Sequence, residues 1–337
     1  MFQLKIASFF VAISLAACTT SAPPSALQYN SNTRSAAPIP AHEQQLPTAL
    51  AQPYFKVSDK IIALESPLLD PKGNLLLLNI YEGKVLKLTP AGQLSTVFED
   101  RTLFPAGMAM HKDGRIFLAG LADYQRGKIL AIQADGSQAQ EVVGQSAGLL
   151  PDDLVFDTKG GIYFTDFRGT SVEKTGGIYY IDPQSGTPRA IVQGLSNPNG
   201  IALSPDGKVL WSTEFGNGRL HRMELDAQGQ VAHFGSSVPY YFTGRAPDSI
   251  RTDADGNVYV AMYSQARVLV FSRTGIPIGQ VLLPGRDEGK FLKVTSMVLD
   301  PDSTDMYIVA RDDVHQTGSM IFKAQALAKG TRLYSHQ

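Results

Sequence analysis

A pattern recurs six times along this chain: a short apolar strand, a turn that closes on glycine in all but the last copy, and a second apolar strand. The copies begin at Glu65 (ESPLLDPKGNLLLLNI), Ala106 (AGMAMHKDGRIFLAG), Asp152 (DDLVFDTKGGIYFTDF), Asn199 (NGIALSPDGKVLWSTEF), Asp248 (DSIRTDADGNVYVAMY) and Thr295 (TSMVLDPDSTDMYIVA). Successive starts lie 41, 46, 47, 49 and 47 residues apart. In the first five copies a turn glycine (Gly73, Gly114, Gly160, Gly207, Gly256) falls eight residues after the start, and Ser303 takes that place in the sixth. A period of this length, built from short alternating strands, marks propeller blades of about four strands each. The Asp-Gly and Lys-Gly dipeptides supply the positive φ that tight hairpins need. Third strands are visible at residues 84–88, 129–133, 177–181, 219–224 and 267–271. The expectation is an all-β fold: a six-bladed β-propeller of four-stranded antiparallel blades around a central channel, one domain spanning residues 53–337. The amphipathic helices that would have to separate the strands of an α/β barrel are missing from the pattern.

The N-terminus reads differently. Residues 1–17 combine one early positive charge with an apolar core too short to span a bilayer comfortably, followed by small residues, which is the pattern of an export signal. The string Leu15-Ala16-Ala17-Cys18 resembles the lipobox of bacterial lipoproteins, and Cys18 is the only cysteine of the chain. Lipidation at Cys18 would anchor the protein to the cell envelope. Thr19 in the following position favours the outer membrane, with the domain facing the periplasm. Residues 18–52, rich in Ser, Thr, Ala, Pro and Gln, read as a flexible tether. Beyond the anchor no membrane contact is expected. A net charge of −1 without a basic stripe argues against nucleic acid as a partner. The sequence identifies no protein partner.

Equivalent positions in successive blades stand at similar distances from the axis. The six copy starts, at the head of the innermost strands, therefore form a ring at one rim of the channel. Glu65, Asp152, Asn199 and Asp248 bring three carboxylates and an amide into that ring; Ala106 leaves a gap and Thr295 offers only a hydroxyl. Two like charges 4 Å apart repel by about 4 kcal/mol at an effective dielectric near 20, so such a ring either titrates or holds a cation. An all-oxygen donor set suits calcium, whereas zinc would ask for His or Cys. The loops between second and third strands open on the same face. They bring Tyr81, Phe167, Arg168, Glu214 and Tyr263 as candidates for lining a small-molecule pocket.

The strings Glu65-Ser66-Pro67, Asp152-Asp153-Leu154-Val155-Phe156-Asp157, Asn197-Pro198-Asn199-Gly200 and Pro247-Asp248-Ser249 resemble the gluconolactonase and senescence-marker family of calcium propellers. Residues 160–171, 209–214, 239–244, 257–271 and 285–289 resemble its drug-responsive bacterial lactonase branch in particular. The resemblance implies a hydrolase that opens a small-molecule lactone with the help of calcium. It also implies that Glu65, Asp152, Asn199 and Asp248 ligate the ion, with Ser249 as a further ligand and Asp248 as the proton-transfer residue. That branch resembles a two-calcium protein, but Gly144-Gln145-Ser146-Ala147-Gly148 lacks the carboxylate and threonine of the second site, so one ion at the axis is expected.

Residues 144–148 also fit G-x-S-x-G, but Pro151 and another strand follow where a nucleophile elbow needs a helix. Asp253-Ala254-Asp255-Gly256-Asn257 is read as a hairpin turn, since the distal Glu of an EF-hand is missing. Two other functions are compatible with the sequence. One is a non-catalytic propeller that binds a ligand or protein around a structural calcium. The other is a calcium-dependent hydrolase of organophosphate triesters.

Overall fold

A computed structural model describes residues 34–336 except Arg245. The signal segment and Cys18 thus lie outside the described residues. Six sheets follow one another around an axis. The innermost strands are Leu64–Leu69, Pro105–Met110, Pro151–Phe156, Pro198–Leu203, Pro247–Thr252 and Lys293–Leu299. Within each blade the chain runs outward through antiparallel neighbours, which gives the expected propeller. The five turn glycines all have positive φ, from 67° at Gly207 to 88° at Gly114.

The apolar runs are continuous rather than alternating, because inner strands are covered on both faces by neighbouring blades. Leu75–Asn79 is buried throughout, whereas the outermost strand of the same blade, Leu94–Glu99, is exposed or half-buried. The core is divided among the six inter-blade seams. Leu76, Leu78 and Val85 of blade one meet Met108, Ile116 and Leu118 of blade two. The last seam closes the ring, with Leu64, Leu75 and Leu77 against Val298, Val309 and Ile321.

Closure of the ring also depends on the N-terminal end of the domain. Blade six takes three strands from the C-terminal part of the chain, and its outermost strand is Gln52–Ser58, antiparallel to Gly318–Gln325 with Phe55 opposite Ile321. Blade five gains a fifth strand, Thr48–Leu50, parallel to Pro277–Leu282.

The stretch assigned to a flexible tether is therefore structured over the part described. Residues 34–52 are fastened to the propeller by edge pairing and by charge. Glu43 is 1% exposed and forms an ion pair with Arg267 at 2.5 Å. Tyr240 donates its hydroxyl to the same carboxylate, and Arg286 donates to the Ala37 carbonyl. None of these attachments needs an apolar period, so composition alone gives the wrong boundary.

The end of the channel opposite the copy starts is apolar. Met108, Met110, Leu154, Leu203 and Leu299 line a cavity of about 80 Å³ there. The C-terminal segment straps across it. Thr331 bonds Thr252 and Asp253, and the Tyr334 ring packs on His111 and Phe156 at centroid distances of 4.9 and 5.6 Å.

Candidate metal centre and its mouth

The ring of copy starts is built by a repeated irregularity. In every innermost strand the pairing register slips beside the start residue: between Glu65 and Leu68, Pro105 and Gly107, Pro151 and Leu154, Pro198 and Ile201, Pro247 and Ile250, and Val294 and Ser296. Such bulges re-aim side chains that a regular pleat would point into the sheet. Hydroxyls tie the ring together from blade to blade. Thr165 donates to the Asn199 carbonyl at 2.5 Å, Thr213 to the Asp248 carbonyl at 2.6 Å, and Thr295 to the Leu64 carbonyl at 2.6 Å. Thr295 is thus committed to closing the ring. Two glycines permit the close approach. A Cβ on Gly200 would lie 2.5 Å from the Ile250 nitrogen, and one on Gly107 would lie 2.1 Å from the Asp152 carbonyl oxygen.

Glu65, Asp152, Asn199 and Asp248 are all buried, at 7%, 7%, 8% and 4% exposure. They share one electrostatic environment. Burial pushes the Glu65 carboxyl well above its usual range, and the charges of Asp248 and Asp152 push it further. Burial and then Asp152 do the same to Asp248, partly offset by a hydrogen bond with Asn199 and by the positive charge of Arg311. Asp152 is raised to about 8 by burial and by Asp153. One oxygen of Asp152, Oδ2, is buried with no hydrogen-bond partner. Among the described residues no three Asp, Glu, His or Cys side chains form a compact metal cluster; the Asn199 amide joins the ring through its hydrogen bond with Asp248. An orphaned carboxylate oxygen in an all-oxygen ring of buried, mutually repelling groups fits a hard cation. Ser249 follows Asp248 in the same bulge and is 3% exposed.

Asp153 has a different task from its neighbour. Its carboxylate pairs with Arg251 at 2.9 Å and accepts the amides of Leu154 and Ile201 at 2.9 and 3.4 Å. The Arg251 fork also reaches Ser66 Oγ at 3.5 Å. This satisfied pair spans blades three and five and ties them to the strand of Glu65.

The five pocket candidates separate. Phe167 packs over Ala106, Leu121 and Leu150, filling the side of the mouth where blade two offers no ligand. It begins an aromatic arc in which Phe167, Phe215 and Tyr263 each stand just after the second strand of their blade, with ring centroids 5.9 and 5.8 Å apart. Tyr81 is 58% exposed. Arg168 grips Asp166 with two nitrogens at 2.8 and 2.5 Å, leaving its fork largely committed.

Glu214 is a correction. It is 0% exposed and accepts bonds from the Ser196 amide at 3.0 Å, Asn217 at 3.0 Å and His221 at 2.8 Å. Burial opposes its ionisation, but those bonds outweigh it and hold the carboxyl at about 2. Such a group braces the loop ahead of Asn199 and cannot touch a ligand. Phe215, which follows Glu214 into the loop between second and third strands, completes the arc. One residue of the mouth escaped the sequence reading: Arg311 stands just before the buried acidic end of its strand, Asp312, as Thr165 and Thr213 stand before Asp166 and Glu214. That shared register was the available signal.

The fold and the ring together define a six-bladed propeller with an oxygen-ligand site at one mouth of its channel. The chain belongs to the SMP-30/gluconolactonase/LRE-like family, whose model matches residues 64–311. It is 44% identical to Lactonase drp35 of Staphylococcus saprophyticus over 91% of this chain and 97% of that protein. Solved structures share the fold at lower identity. A calcium-binding protein, regucalcin, from Agrobacterium tumefaciens superposes with a TM-score of 0.69 at 18% identity, covering 85% of this chain and 99% of the other. A gluconolactonase from Xanthomonas campestris does so with a TM-score of 0.66 at 19% identity, covering 84% and 98%.

Proposed function

We propose that this protein is a calcium-dependent lactonase, with Glu65, Asp152, Asn199, Asp248 and Ser249 holding one ion. The observation that carries this reading is the buried ring of three carboxylates and an amide, with Asp152 Oδ2 left unpartnered, in a chain 44% identical to a protein named as a lactonase. When bound, calcium supplies Lewis-acid polarisation of the lactone carbonyl and charge neutralisation in the ring. The protein's own residues do the rest. The bulged strand and the Thr213 bond fix the backbone of Asp248. From there its carboxylate accepts a proton from the attacking water. The aromatic arc and the apolar patch over Ala106 seat the body of the substrate and exclude competing water. The Asp153–Arg251 pair keeps the floor electrically neutral, so the ring's negative charge is directed at the mouth.

The test is pH-stat titration of lactone opening by a soluble form beginning after Cys18, with chelator, with calcium restored, and in Asp248→Asn. Activity that disappears with chelator, returns with calcium and is lost in the variant supports the reading. Folded, calcium-loaded protein that opens no lactone overturns it in favour of a binding propeller. Activity confined to phosphotriesters would assign the ring to phosphorus chemistry instead.

Residues 1–18 support a separate proposal, that the mature chain is lipidated at Cys18 and held at the bacterial envelope. Incorporation of labelled palmitate that is abolished in Cys18→Ala is the expected result.

A further inference from the structure

The aromatic arc is uneven in chemistry. Phe167, Phe215 and Tyr263 occupy equivalent places in blades three, four and five, yet only the last carries a hydroxyl. That hydroxyl is held in a specific way. Arg311 Nη2 donates to Tyr263 Oη at 3.1 Å, while Asp313 fixes Arg311 Nε at 2.9 Å. The Arg311 side chain is 11% exposed, so its fork is confined. The Lys293 ammonium lies 4.3 Å from the centre of the Tyr263 ring.

A guanidinium can only donate. The Tyr263 oxygen therefore accepts from Arg311, and its own proton is turned elsewhere. The charged and polar groups near Tyr263 include Arg311, Lys293, Asp248, Asp313 and Tyr81; burial raises the phenol above its ordinary range, against the pull of Arg311, and so keeps it protonated. Tyr263 thus stands in the aromatic arc of the mouth, within the electrostatic reach of the proposed proton acceptor Asp248, as a neutral donor with its proton available.

We propose that Tyr263 donates to the ring oxygen of the lactone, with Arg311 as its positioning residue, and that this pair determines which lactones are opened. The proposal rests on the lactonase reading above. The water oxygen bonds to the carbonyl carbon, the bond from that carbon to the ring oxygen breaks, and the Tyr263 proton passes to the departing oxygen. The proton lost by the water, taken up by Asp248, restores the phenol, so the product is a hydroxy acid and the residues return to their starting state. Arg311 stabilises the transient phenolate.

The consequence is a dependence on the leaving oxygen. An aliphatic lactone departs as a strongly basic alkoxide and needs the proton. A benzo-fused lactone departs as a phenoxide, whose parent phenol ionises at about 10, and hardly needs it.

The experiment compares δ-valerolactone with its benzo-fused counterpart in wild type, Tyr263→Phe, Arg311→Met and Arg311→Lys, with kcat and KM resolved. Loss of a general acid typically costs about 10²-fold or more. That loss is expected in kcat for δ-valerolactone in Tyr263→Phe, with the benzo-fused lactone changed by less than about threefold. Arg311→Met should fall on the same side, with part of the rate restored in Arg311→Lys. Calcium binding by calorimetry and the unfolding midpoint should be unchanged in Tyr263→Phe, which separates the role from packing. Equal losses on both lactones, or none on either, would overturn the proposal while leaving the lactonase reading in place. A wild-type protein inactive on both would overturn that reading and this one with it.

Discussion

The same six strands end in opposite chemistry at the two mouths of the channel. At one end each strand is bulged, the side chains at the rim include three buried carboxylates, and aromatic residues stand around an opening. At the other end the strands stay in register into tight turns, three of them Asp-x-x-Gly, the lining is apolar, and the C-terminal strap covers the cavity. The first end concentrates unfavourable electrostatics and the second concentrates packing. Between them the Asp153–Arg251 pair neutralises the acidic side chain next to Asp152 of the ring. Strain and repulsion are tolerable at one rim because the seams and the strap hold the rest.

The largest test of this division is Asp248→Asn. Turnover should fall by at least about 10³-fold. The calcium-free variant should nonetheless unfold at a higher temperature than the calcium-free wild type, because a carboxyl whose ionisation the buried ring opposes is replaced by a neutral amide. A lower midpoint would mean the ring stabilises the fold even when empty. At the other end, Tyr334→Ala removes a ring seated on Phe156 and His111. It should cost about 3–5 kcal/mol of stability by denaturant titration, with kcat of the folded fraction unchanged. Chelation should lower stability by a smaller amount, about 2.7 kcal/mol relative to calcium at a hundredfold excess over its Kd. The loss should add to that of Tyr334→Ala, since the two ends share no partners. Non-additive losses would show that the channel couples its ends.

A subtler test is set by pH. The folded pKa of Glu214, about 2, lies below its ordinary value of 4.5. The stabilisation it provides is therefore fully present above that ordinary value and is lost as pH falls towards 2. Glu214→Gln should flatten this part of the acid limb in urea titrations from pH 5 to 2. The smallest effect is expected from Ser146→Ala. Ser146 is exposed on a single 3-10 turn, Gln145–Ala147, so neither activity nor stability should change.

The blades were legible because burial on both faces writes continuous apolar runs and because the hairpin turns require glycine. The ring was legible because the repeat preserves phase: Glu65, Asp152, Asn199 and Asp248 occupy one position in copies of nearly equal length. What escaped the sequence depends on long-range partners. Glu214 reads as a polar loop residue, and only the folded chain brings it Ser196 and His221. Arg311 lies in a strand pattern that says nothing of Tyr263, 48 residues away. Glu43 sits among prolines and alanines, and its partner Arg267 is 224 residues further on. The calcium-loop lookalike at Asp253 was resolved correctly because its carboxylate is engaged by the amides of Asp255 and Asn257 and by Tyr259.

The strand that completes blade six has an implication for how the protein is made. Residues 52–58 are synthesised first among the strands of that sheet, but their partner, Gly318–Gln325, is synthesised only after the five preceding blades. Until then five blades can form in sequence while the sixth has no outer edge and the first strand has nothing to pair with. Folding is therefore governed by the slow search that joins residues 52–58 to Gly318–Gln325, and an unpaired strand edge is exposed for all of that interval. Cutting the chain between two blades and joining the present ends would remove that search, and the rearranged protein should reach its native state faster with the same ring at its mouth.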